Sequence, residues 1–238
     1  MEYTMNSGAA SARQRKNAFR MEKRRRLGLP RYPLGEEIFS SVSHGVSALF
    51  AVGALVFLLL TCQKTPLRLT AAAVYGGTMV LLYTVSTLYH GLGLNRAKVV
   101  FRSLDHCTIF LLIAGTYTPI TLVCLGGWKG WAMFGVVWAA AALGVVLNAV
   151  SVERFKKVSM ACYLAMGWVV VLAIRPLMAS LAWNGLVLLA LGGVFYTVGI
   201  VFYVIRRSYM HSIWHLFVLA GSVCHYLSIL LYVIPTTF

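Results

Sequence analysis

"HSIWHLFVLAGSVCH", residues 211–225, contains no Asp, Glu, Lys or Arg, yet it carries three of the six histidines in the chain. With the "YLSILLYV" that follows, it is long enough to cross a hydrocarbon core about 30 Å thick, which takes roughly 20 helical residues. An imidazole in such surroundings is costly unless it finds a partner. The stretch therefore argues for a membrane-spanning helix and also for a reason to place His211, His215 and His225 on it.

The rest of the chain repeats the apolar pattern. Of 238 residues 60% are hydrophobic and 11% charged, and the mean hydropathy is +0.79. A soluble domain of this size needs far more charge to cover its surface. The apolar residues fall into seven blocks, at about 40–60, 70–92, 104–125, 130–150, 159–179, 185–205 and 211–234. They are separated by "CQKTPLR", "GLNRAKVVFR", "GGWKG", "SVERFKK", "SLAWN" and "RRSYM", which carry the Gly, Pro and charge that interrupt helices. The reading is an all-α, polytopic membrane protein: a seven-helix transmembrane bundle over residues 35–238, behind a basic tail at 1–34.

The net charge of +15 would suggest nucleic acid in a soluble protein. Here nine of the 21 Lys and Arg lie in residues 1–31, in runs such as "RQRK" and "EKRRR". That tail is expected to lack regular structure, to lie in the cytoplasm and to touch anionic lipid headgroups, with no nucleic-acid partner. It does not read as a cleavable signal peptide: the basic run is too long and no A-x-A site follows the first apolar block. With seven spans and the N-terminus inside, 17 Lys and Arg fall on the inner side and four on the outer, the bias that orients a plasma-membrane protein. The C-terminus is then outside. Cys62, Cys107, Cys124, Cys162 and Cys224 are scattered, which argues against a disulfide framework.

Beyond residue 37 the only acids are Asp105 and Glu153. Asp105 opens the third span in "SLDHCTIFLLIAGTYTP". A carboxylate at a membrane boundary is a functional candidate, although Asp at a helix start also serves as a cap. In "VSTLYHGLG" Ser86 and His90 are four apart and share a helical face. His211 and His215 have the same spacing, which lets two imidazoles reach one metal. With alternating spans, His90, Asp105, His211 and His215 all come to the inner leaflet, and His44 to the same depth. Scattered interfacial histidines would populate both sides.

The proposed metal ligands are His90, His211 and His215. Three protein ligands leave a fourth position open, as in catalytic zinc sites. Asp105 could accept a proton there, and Ser86, one turn from His90, could hydrogen-bond water or a substrate oxygen. His225 lies about 15 Å further along the axis, too far for the same metal, and reads as an interhelical hydrogen bond. His106 sits on another face of its helix and does not read as a ligand.

"EEIFSSVSHG", "STLYHGL", "LDHCTIFLLIAGTYTP" and "HSIWHLFVLAGSVCH" resemble the haemolysin III proteins, the bacterial branch of the progestin and adiponectin receptor family. The resemblance covers roughly 35–235. It implies a seven-helix bundle with zinc near the cytoplasmic side, held by His90, His211 and His215, with Asp105 and Ser86 beside the zinc's water. The family is similar to alkaline ceramidases, which cleave lipid amides, and its bacterial branch is linked to haemolysis and membrane homeostasis.

Three functions follow. One is a zinc-dependent intramembrane hydrolase of lipid amides or esters, with membrane lipids as partners. The second is a non-catalytic membrane-state sensor whose zinc is structural. The third is a pore-forming cytolysin, for which the sequence shows neither a polar stripe along a span nor a ring of charge.

Overall fold

The computed structural model describes residues 2–205 and 207–235. Arg206, one of the residues in the charge count, and the chain's end at 236–238 lie outside them.

The architecture is all-helical. In order come α1 (Glu2–Arg26), α2 (Leu34–Thr61), α3 (Pro66–Gly91), α4 (Arg96–Pro119), α5 (Gly127–Trp168), α6 (Ile174–Ser180), α7 (Trp183–Val204) and α8 (Met210–Ser228). In lipid every backbone group must bond within its own segment, and helices achieve this. Sequence-local caps set some starts. Thr65 accepts from the Arg68 N–H with Pro66 opening α3, and Asn95 accepts from the Lys98 N–H at the head of α4. Past Pro119, which ends α4, Ile120–Leu125 widens into a π-helix, as a proline without its N–H tends to cause.

Among the described residues, six helical stretches are long and apolar enough to cross a membrane: Leu34–Thr61, Pro66–Gly91, Arg96–Leu125, Gly127–Ser180, Trp183–Val204 and Met210–Val233. The protein is thus a multi-pass membrane protein. The fourth stretch has 54 residues, about 80 Å at 1.5 Å per residue, and it is not one continuous helix. Ser151 is extended (φ −167°, ψ 108°), and its hydroxyl accepts from the Arg154 N–H at 3.2 Å. Ser151 therefore caps a second helix inside α5.

The interior is built from small and polar residues. On α2 the buried stripe is Glu37, Ser40, His44, Ser47, Ala51, Ala54 and Leu58, while Val42, Val46, Leu49 and Leu60 are exposed. Lipid solvates the apolar side, so the usual soluble-protein pattern is inverted. Tyr83 donates to the Ser222 hydroxyl at 2.7 Å, and Tyr196 shares that hydroxyl at 2.8 Å, tying α3, α7 and α8 together. A Cβ on Gly144 would enter the Phe110 ring, so that glycine sets how closely α4 and α5 approach.

The basic tail departs from its expectation: residues 2–26 are helical. Arg24 donates to Glu37 Oε1 and to the Pro30 carbonyl, each at 2.7 Å. Leu29, in the connecting segment, is buried. Composition alone points to disorder; these anchors to the bundle oppose it.

Candidate metal centre

His90 lies in the last turn of α3, and His211 and His215 in the first two turns of α8. Their potential ligand atoms all fall within 4.8 Å of one another. His211 Nε2 is 3.3 Å from His90 Nε2 and 3.1 Å from His215 Nε2. All three rings are buried, His215 completely.

The donor set fits a cation. Glu37 Oε2 accepts from His90 Nδ1 at 3.0 Å, which puts the proton on Nδ1 and leaves the Nε2 lone pair facing the other rings. One proton on His211 Nε2 can serve only one of its two close contacts. The other contact is then left without a hydrogen bond inside the protein. A shared cation removes that conflict. Nitrogens at 2.0–2.1 Å from a tetrahedral zinc stand roughly 3.3 Å apart, close to the observed spacings.

Glu37 was not among the sequence candidates, and it is the hub of the site. Oε1 accepts from Arg24, and Oε2 accepts from Lys98 Nζ at 3.0 Å and from His90. A carboxylate behind a ligating imidazole orients the ring and raises its basicity. Lys98, in the "GLNRAKVVFR" break between apolar blocks, is fully buried. Its ammonium also donates to the carbonyls of Tyr89, His90 and Leu92 at 2.7, 3.2 and 3.1 Å, the groups that the end of α3 leaves without helical partners. One signal for Glu37 was available: it stands seven residues before His44, on the same helical face.

Two more rings complete the surroundings. His44 stacks on His215 at 3.7 Å between centroids, and neither of its nitrogens has a hydrogen-bond partner among the described residues. Tyr32, from the segment before α2, stacks on His211 at 4.7 Å. Burial holds the Tyr32 phenol well above its ordinary pKa, so it is a neutral plate over the ligand.

The two catalytic candidates are placed differently from the ligands. Asp105 is buried, and its Oδ2 is 3.8 Å from His106 Nδ1; no hydrogen bond joins it to the three imidazoles. Instead it lines an apolar cavity of about 130 Å³ with His44, His106, Tyr203, Trp214 and His225. His44 and Trp214 both also pack on His215, so the cavity abuts the cluster. Ser86 Oγ is buried, one turn from His90, without a hydrogen-bond partner among the described residues. His106 bonds the Arg102 carbonyl, and His225 bonds the Leu189 carbonyl of α7 at 3.1 Å; both lie outside the cluster, as expected. Glu153 pairs with Arg102 at 2.7 Å while staying largely exposed. The five cysteines are free.

The family model described as haemolysin-III related matches residues 32–226. Hemolysin-3 of Bacillus cereus is 41% identical over 84% of this chain and 93% of its own length. The Hemolysin-3 homolog of Bacillus subtilis is 38% identical over 87% and 99%. Human monocyte to macrophage differentiation factor is 32% identical over 70% and 73%.

Proposed function

The chain belongs to the haemolysin III family, and on that premise we propose that it is a zinc-dependent intramembrane hydrolase of lipid amides or esters acting in membrane lipid homeostasis. One observation carries the reading: a buried set of three imidazole nitrogens, all within 4.8 Å of one another, adjoins an apolar cavity whose wall includes a carboxylate. Zinc, when bound, polarises a carbonyl and lowers the pKa of water.

The chain's own residues supply the rest. His90, His211 and His215 hold the metal, and Glu37 fixes the His90 ring. The cavity takes an acyl chain and keeps bulk water out. Asp105 takes a proton from the attacking water and returns it to the leaving group. Ser86, with an unused buried hydroxyl, hydrogen-bonds the reacting oxygen. We read the break at Ser151 as a seventh crossing, which places the N-terminus and the metal centre on the cytoplasmic side of the cell membrane and the C-terminus outside.

A structural role for the metal is the second reading, supported by the cluster's origin on two helices, α3 and α8, which a cation would tie together. Purified protein, metal analysis and turnover of an N-acyl sphingoid lipid and an acyl ester separate the two. The hydrolase reading expects about one zinc per chain, lost in His211→Ala. It also expects turnover that falls at least 100-fold in Asp105→Asn with the metal retained. Stoichiometric zinc without turnover of either lipid would reject it in favour of the structural metal.

A further inference from the structure

A second hollow, of about 1020 Å³, opens where α1 lies across the start of α2. Its walls differ in character. Lys16, Arg20 and Arg24 recur every fourth residue on α1 and so share one face, and Arg31 joins them from the connecting segment. Opposite them are Leu34, Ile38 and Val42, on the exposed side of a membrane-spanning helix.

The basic wall has no acid to spare. Arg24 is committed to Glu37, and Glu37 is already filled by Arg24, Lys98 and His90. The acid of α1 near this face, Glu22, pairs with Arg25 and Arg26. Lys16, Arg20 and Arg31 are exposed and make no side-chain hydrogen bond or ion pair among the described residues. Like charges four apart destabilise a helix, so an anion held between them supports both the helix and its docking. Arginine forks match phosphate oxygens. On the α2 side Leu34, Ile38 and Val42 stand beside Glu37 and Ser41, and the apolar residues continue along a membrane-spanning helix.

We propose that this hollow binds the phosphate-bearing headgroup of an anionic membrane lipid, with Lys16, Arg20 and Arg31 around the phosphate and the acyl chains along Ile38 and Val42. The site needs no metal and stands whether or not the protein hydrolyses lipids.

Native mass spectrometry of the full-length protein in detergent, titrated with phosphatidylglycerol or phosphatidylcholine, tests it. Phosphatidylglycerol should be retained preferentially. Arg20→Ala with Arg31→Ala should weaken it about tenfold or more, and Ile38→Ser, on the opposite wall, should weaken it independently. Arg25→Ala with Arg26→Ala removes the same charge from side chains engaged with Glu22 and should leave binding unchanged. Equal losses from both arginine pairs would mean diffuse attraction and overturn the proposal. Equal competition by glycerol phosphate, which has the headgroup but no chains, would overturn the lipid as the occupant.

Discussion

Glu37 concentrates at one residue the electrostatics of the whole site. Its carboxylate meets a guanidinium, an ammonium and an imidazole, and all four side chains are nearly excluded from solvent. Burying charge is unfavourable unless the partners are complete, and removing one partner is worse than never having built the set. Glu37→Gln keeps the size of the side chain but strands Arg24 and Lys98. It should cost about 3–5 kcal/mol of stability and lower metal affinity roughly 10–100-fold, read by thermal unfolding in detergent and by competition with a metal indicator. Adding Lys98→Met should restore part of the stability, because the stranded ammonium goes with it. It should not restore the affinity, since the His90 ring still lacks its carboxylate. If Glu37→Gln binds zinc as the native protein does, Glu37 does not orient the ligand.

At the scale of helices, close packing depends on what is missing from a side chain. The Phe110 ring of α4 occupies the space a Cβ on Gly144 of α5 would need. Gly144→Val should force the pair apart and cost about 1–3 kcal/mol, visible as a lowered melting temperature. Gly53→Ala, where nothing lies within 4 Å, should leave it within error. The helices themselves were legible in the sequence, because roughly 20 apolar residues between charged breaks have few other readings. The cluster of three imidazoles was legible for a similar reason: His90, His211 and His215 are expensive in lipid, and they do come together. Glu37 was not, because an acid just ahead of the first apolar block is equally at home as a solvated charge at the membrane surface. The 3-4-3-4 spacing of Glu37, Ser40, His44, Ser47 and Ala51 does mark the inward face once the pattern is inverted for lipid. The docked α1 was illegible on other grounds: its hold on the bundle comes from Arg24 meeting Glu37, a tertiary contact that composition does not encode.

For the molecule as a whole, the reading of the site depends on how many times α5 crosses the membrane. The helix ahead of Ser151 is about 36 Å long at 1.5 Å per residue, and so is able to span a core of about 30 Å by itself. The part after Ser151 runs on through Ala173 into α6 and is long enough to return. Two crossings in this stretch make seven in all and put Lys129 and Lys157, at the two ends of the first, on opposite sides. The same count brings the ends of α3 and α8, and hence all three imidazoles, to the side that holds α1. With the native cysteines replaced, Lys129→Cys should react with a membrane-impermeant maleimide on intact cells. Lys157→Cys should react only after permeabilisation, as should Arg20→Cys on α1. Labelling of positions 129 and 157 from the same side would leave α5 without a single crossing there, and would place α3 and α8 with their histidines at opposite surfaces. The short Nε2 separations between His90, His211 and His215 do not allow that arrangement, so the labelling pattern tests the topology and the metal centre together.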